Sequence, residues 1–140
     1  MKKFFQASSR SHYGLRLMTQ LAAADGQFLS LQTIARREKI SAGYLEAMAS
    51  ALRQRRLIVS GRGARGGYRL AKSAREIKVS EILTALNGPI KTMTCTGNKQ
   101  GNQCPLRFNC PSRSVWQKLD VEIEKTLSSL TLADLKKSQP

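Results

Sequence analysis

The chain has 140 residues, 41% of them hydrophobic, with 24 Lys and Arg against 9 Asp and Glu for a formal net charge of +15. That length and apolar content suit one domain, or one domain with an appended element, and exclude a disordered chain. No apolar run approaches the roughly 18 residues of a membrane span. The opening "MKKFFQASSR" has the charge of a secretory signal without its apolar middle, so a cytoplasmic protein with no membrane partner is expected.

The charge is unevenly spread. Residues 1–78 carry 16 basic and 4 acidic residues, net +12, whereas residues 79–140 carry 8 and 5, net +3. The first half therefore reads as a nucleic-acid surface and the second as something else.

In chain order, Tyr13, Leu17, Met18, Leu21 and Ala24 recur at helical spacing from Ser11 to Ala24, and Asp25-Gly26 supplies a turn. Ser30 is placed to cap a short second helix carrying Leu31, Ile34 and Ala35. Ser41 opens a third helix whose inward stripe is Tyr44, Leu45, Met48, Ala49 and Leu52. Two such helices joined by a short turn make a helix-turn-helix.

"LIVS" (57–60) and "YRLA" (68–71) flank "GRGARGG" (61–67), which predicts a β-hairpin with Leu57 and Val59 inward on one strand and Tyr68 and Leu70 on the other. Because the glycine-rich stretch does not lead into a helix, it is not a phosphate cradle for a nucleotide. Ser80 is expected to cap "SEILTALNG", with Ile82, Leu83 and Leu86 inward and Gly88-Pro89 ending the helix. From Ser112, Trp116, Leu119, Ile123, Leu127 and Leu130 predict an amphipathic helix of about eighteen residues. Such a helix pairs with its own copy in a two-fold dimer or folds back on its domain. Thr131 and Asp134 have capping-box spacing for one more short turn, and "KKSQP" should fray. The fold class is thus mainly α with a small β-hairpin. Residues 1–90 form a winged helix-turn-helix, 91–111 a cysteine-rich loop, and 112–140 a dimerisation helix and tail.

On the outward face of the third helix stand Gly43, Glu46, Ala47, Ser50 and Arg53, with Ser41 at its start. Small side chains let a helix approach base edges in the major groove, where Glu46 can accept from a cytosine amino group and Arg53 can grip phosphate. Arg62 and Arg65 at the hairpin tip can reach an adjacent minor groove. Double-stranded DNA is the expected partner.

All three cysteines lie in "CTGNKQGNQCPLRFNC", spaced C-x8-C-x5-C. This is neither a CxxC dithiol nor a zinc ribbon. Three thiolates in a loop poor in apolar residues suit an iron-sulfur cluster, which tolerates wide ligand spacing. The fourth ligand must come from elsewhere, and His12, the one histidine, is either that ligand or a helix-start or DNA-facing residue. Three cysteines and one weaker ligand fit 2Fe-2S or 4Fe-4S, the former being the expectation. A zinc site, a cluster-free thiol sensor and an electron carrier remain alternatives. With one histidine and dispersed carboxylates, no catalytic constellation is present and an enzyme is not expected.

The runs "HYGLRLM", "SAGYLEAMASALRQRRLI", "GRGARGGYRLA" and "VSEILTALNGPI", with the three-cysteine loop, resemble the Rrf2 family of bacterial winged-helix regulators, in its cluster-binding branch of IscR, NsrR and RirA types. The resemblance spans roughly residues 8–135. It implies a homodimer through the C-terminal helix and DNA binding, expected as a repressor, tuned by the cluster. It also implies Tyr44 and Glu46 facing the groove, Arg62 as the wing arginine, and Cys95, Cys104 and Cys110 as ligands. Two departures stand out. The first cysteine interval is longer than the five residues of several members, and Arg113 occupies the place, three residues after the last cysteine, where IscR types carry histidine. His12 falls where NsrR-like members use a carboxylate ligand.

Overall fold

The computed structural model describes residues 6–64, 66–96 and 104–137. The first helix, α1 (Ser9–Ala23), begins two residues earlier than predicted because Ser8 caps it, accepting the Ser11 N–H. α2 (Leu31–Glu38) and α3 (Ala42–Gln54) start where the sequence places them. The Ser30 hydroxyl accepts Thr33 N–H at 3.1 Å and the Ser41 hydroxyl accepts Tyr44 N–H at 3.1 Å. Lys39, at φ 55, turns the chain between them in a left-handed conformation. α1 crosses α4 (Val79–Asn87) so closely that a Cβ on Gly14 would meet the Leu86 side chain.

β1 (Ile58–Gly61) and β2 (Gly67–Leu70) pair antiparallel in the register Ile58 to Leu70 and Ser60 to Tyr68. The inward residue of β1 is Ile58, 1% exposed, whereas Val59 is 37% exposed, which corrects the predicted alternation. Leu57 is buried too, but ahead of the strand: its N–H donates to Leu52 O at 3.1 Å, just after Arg56 turns the chain at φ 59. The strand period therefore starts one residue later than the sequence suggests. Leu29 adds a third, single-residue rung, exchanging hydrogen bonds of 2.9 and 3.0 Å with Tyr68.

α4 is capped at Lys78, not Ser80: the Glu81 carboxylate accepts the Lys78 N–H at 2.8 Å. Ser80 lies in the first turn, buried, where its hydroxyl accepts from Ser128 at 3.1 Å. Ile82 and Leu86 are buried as expected and Leu83 half-buried.

After a 3-10 turn (Thr94–Thr96) come α5 (Arg113–Ser129) and α6 (Leu132–Lys137). The Thr131–Asp134 box forms, with Thr131 N–H donating to the carboxylate at 2.9 Å. Residues 130–133 run along residues 74–79, through Val79 N–H to Leu130 O and Leu132 N–H to Ile77 O, both 2.9 Å. Leu132 thereby enters one core with Leu17, Met18, Leu21, Ile34, Leu45, Met48, Leu52, Ile58, Ile77 and Ile82. Each such side chain contributes about 1.5–3 kcal/mol on leaving water, so α6 is part of the winged domain and folds back on it. α5 itself buries only Asp120, keeps Trp116, Leu119, Ile123 and Leu127 half-buried, and leaves Val115 and Val121 exposed. Among the described residues no helix is long and apolar enough to cross a membrane. The tail beyond Lys137 lies outside them.

Candidate nucleic-acid interface and cysteine loop

The inward stripe of α3 fixes which face remains outside. Leu45, Met48, Ala49 and Leu52 are fully buried, so Gly43, Glu46, Ala47 and Arg53 are turned to solvent and Ser50 is half-exposed. Ser41 is exposed, but its hydroxyl serves the helix N-terminus. Nothing stands within 4 Å of the Cβ position of Gly43, so the first turn of α3 is open to a close approach. Tyr44 is half-buried, its ring edge-on to Tyr13 at 6.1 Å. The exposed His12 ring packs edge-on to Tyr13 at 5.0 Å, which makes an aromatic line from the start of α1 to the start of α3.

At the wing, Gly66 N–H donates to Gly63 O at 2.9 Å, and a Cβ on Gly66 would come within 2.8 Å of that carbonyl oxygen. Only glycine fits so tight a tip. Arg62 is exposed there, and Arg65 lies outside the described residues. A larger basic surface went unread in the sequence: Arg69, Lys72, Arg75, Lys136 and Lys137 line one cleft of about 710 Å³ between the outer wing face and α6. Its basic members come from residues 69–75 and from 136–137, more than sixty residues apart in sequence, so no single local run of charge signals it.

Cys95 sits in the 3-10 turn, Cys104 opens the turn that leads to Cys110, and all three are free, half-buried thiols. The structure does not bring them together: among the described residues no group of three or more His, Cys, Asp or Glu side chains forms a metal-holding cluster. Residues 97–103, which join Cys95 to Cys104, lie outside those residues. His12 belongs to no such group either. The Cys110 thiol is held below its ordinary pKa by the Ser112 hydroxyl, by the backbone N–H groups of Ser112 and Arg113, and by the Arg113 charge, which together outweigh desolvation.

The donor chemistry nonetheless fits a cluster. Three soft thiols stand together in sequence without a carboxylate among them. Beside them the Nε–H groups of Arg107 and Arg113 are buried with no acceptor, a pair of cationic donors suited to an anionic group.

The loop is tied to α5 by a contact that sequence reasoning missed. Asp120 Oδ1 accepts both the N–H and the hydroxyl of Thr92 at 2.7 Å, and Lys91 Nζ stands 3.9 Å from Oδ2. Burial pushes this carboxyl up, but hydrogen bonds from Thr96 and Thr92 and the Lys91 charge prevail and hold it below the usual carboxylate range.

A helix-turn-helix with a small-residue outer face, a glycine-tipped wing and a long trailing helix define a winged helix-turn-helix transcription regulator. The chain belongs to the Rrf2 family: the family model, described as an iron-dependent transcriptional regulator, matches residues 7–138. It is 34% identical to the HTH-type transcriptional regulator IscR of Yersinia enterocolitica, over 94% of this chain and 79% of that protein. It is also 34% identical to the protein rrf2 of Nitratidesulfovibrio vulgaris, over 91% and 85%. Among solved structures, CymR, the global cysteine regulator of B. subtilis, matches with a TM-score of 0.80 at 32% identity, covering 97% of this chain and 99% of that one. IscR of T. potens matches at 0.76 and 38% identity, covering 95% and 87%. These relatives are regulators, not enzymes, as the sequence led us to expect.

Proposed function

We propose that this chain is a cytoplasmic transcription repressor that binds a two-fold DNA operator as a homodimer and senses its signal through an iron-sulfur cluster held by Cys95, Cys104 and Cys110. The observation that carries the reading is the position of the thiol loop. It joins the winged domain to α5 and is fastened to that helix by the part-buried Thr92–Asp120 contact. When bound, the cluster supplies redox-sensitive, exchangeable ligation; 2Fe-2S is the expected form, with His12 the candidate fourth ligand. Gly43, Tyr44, Glu46, Ala47 and Ser50 enter the major groove, Ser41 starts the helix they stand on, Arg53 holds phosphate, and Arg62 and Arg65 reach the minor groove. The exposed Val115 and Val121 on α5 supply apolar surface for the second copy. Residues 1–90 read DNA, 91–111 sense, and 112–129 pair the subunits, while α6 completes the first unit's core. Operators with half-sites one helical turn apart make affinity sensitive to the angle between the two α3 helices.

Protein purified without oxygen should be coloured and contain iron and sulfide, and Cys→Ala at all three positions should abolish both and change operator affinity. A colourless protein that fails reconstitution would overturn the cluster. A second reading then stands, in which the thiols themselves sense oxidation. It is favoured by the lowered Cys110 pKa and by likeness to the oxidised form of Staphylococcus aureus CymR, with a TM-score of 0.75 at 30% identity over 97% of this chain and 99% of that one. Zinc analysis separates that reading from a zinc-stabilised site.

A further inference from the structure

We infer that Arg107 and Arg113 are the outer hydrogen-bond donors that hold the anionic sulfur centre of the cysteine loop, an inference that rests on the cluster reading above. Arg107 lies between Cys104 and Cys110, and Arg113 three residues beyond Cys110. Arg113 Nη1 donates to Arg107 O at 2.6 Å, which brings the two residues together across the turn. The Arg107 guanidinium lies over the Phe108 ring, 4.6 Å from its centroid. The Nε–H of each arginine is shut off from solvent and donates to nothing. Among the described residues, none of the ion pairs involves either guanidinium.

A buried donor left without an acceptor is unfavourable, more so when it carries charge, and folded proteins contain few. Two of them in a seven-residue span that also holds Cys110 point to an acceptor supplied by what the thiols bind. Thiolate-ligated iron-sulfide centres are net negative and gain negative charge on reduction. Guanidinium N–H groups aimed at such sulfur stabilise the bound centre, and its reduced form most. Arginine cannot itself serve as an iron ligand here because it stays protonated, so Arg113 acts on the sulfur and leaves the fourth iron position to another residue.

The test uses anaerobically purified full-length protein carrying Arg113→Gln, Arg107→Gln or Arg113→Lys, each checked for folding by circular dichroism. The readouts are the rate at which the visible chromophore is lost to a chelator and the reduction potential from dithionite titration. Removing a ligand-supporting partner typically costs 10–100-fold in metal affinity, so Arg113→Gln should lose the chromophore about tenfold faster and be harder to reduce. Arg113→Lys, which keeps the charge but lacks the Nε–H fork, should fall between. Arg107→Gln leaves its backbone carbonyl in place and should act in the same direction without opening the turn. A chromophore equally retained and equally reducible in wild type and both Gln variants overturns the inference alone. Wild-type protein without iron or sulfide overturns the cluster reading and this inference together.

Discussion

Asp120→Ala is the sharpest test of how the cysteine loop is joined to the long helix. In the wild type one carboxylate oxygen accepts two hydrogen bonds of 2.7 Å from Thr92, within a side chain that is 4% exposed. Hydrogen bonds to a charged group contribute about 1.5–3 kcal/mol each, and an orphaned donor such as the Thr92 N–H costs about 1–3 kcal/mol. The Lys91 pair, at 3.9 Å with lysine 41% exposed, adds less than about 1 kcal/mol. Because these contributions overlap, a total of about 3 kcal/mol is expected. With a urea m-value of about 1–3 kcal/mol/M, the midpoint should fall by about 1–3 M. Trp116, the one tryptophan, lies a single turn before Asp120 and reports the transition by fluorescence. The loss must also depend on pH. Since the folded carboxyl titrates below its usual range, its stabilisation is complete above the unfolded value of about 3.9 and disappears as pH falls through the folded value. The gap between wild type and Asp120→Ala should therefore be wide at pH 7 and narrow towards pH 3. A gap below about 0.5 kcal/mol at pH 7, or one of equal size at both, would refute the reasoning.

Two further predictions address the DNA face and the core. Arg62→Ala should weaken operator binding, lower the magnitude of the salt slope by about one, and relax any preference for a narrow minor groove; gel-shift titrations at several salt concentrations would show otherwise if slope and preference are both unchanged. Leu132→Ala removes a fully buried side chain and should cost about 2–5 kcal/mol in chemical denaturation, with amide exchange speeding up first at Leu132 and Val79, whose hydrogen bonds tie the two segments together.

Local chemistry was legible in the sequence wherever a single side chain decides the backbone. Ser30, Ser41 and the Thr131–Asp134 pair cap the elements they were expected to cap, and helical spacing identified the buried stripe of α3. Ser80 misled because a serine ahead of an apolar run reads as a cap, while the Glu81 bond to the Lys78 backbone places the helix start two residues earlier. Val59 misled because Leu57, Ile58 and Val59 are all apolar, and a short apolar run does not reveal strand phase. The rung from Leu29 to Tyr68, the Thr92–Asp120 contact and the docking of Leu132 join residues far apart in the chain. No periodicity or spacing encodes such pairs; they exist only once the fold has closed. The cysteines announced a site by composition, but the segment that joins Cys95 to Cys104 lies outside the described residues.

The two fastenings of α5 differ in kind, and that difference assigns them different roles. At its far end, residues 130–133 are held by backbone hydrogen bonds and by Leu132 in the same core as α3, so displacing that end would cost core packing. At its near end the fastening is one carboxylate, Asp120, on the half-buried Thr92 with Thr96 and Lys91 beside it, next to a turn that carries Cys95. A differential affinity of a few kcal/mol is enough to repopulate a two-state equilibrium, and that is the size of the near fastening. On the proposed reading, the signal therefore acts by engaging or releasing Asp120, and α5 pivots about its fixed end against α4. Since α3 shares its core with that fixed end, the same reading keeps each subunit's DNA-binding head intact while its angle to the proposed partner's head changes. On that proposal operator affinity would change without unfolding either DNA-binding domain.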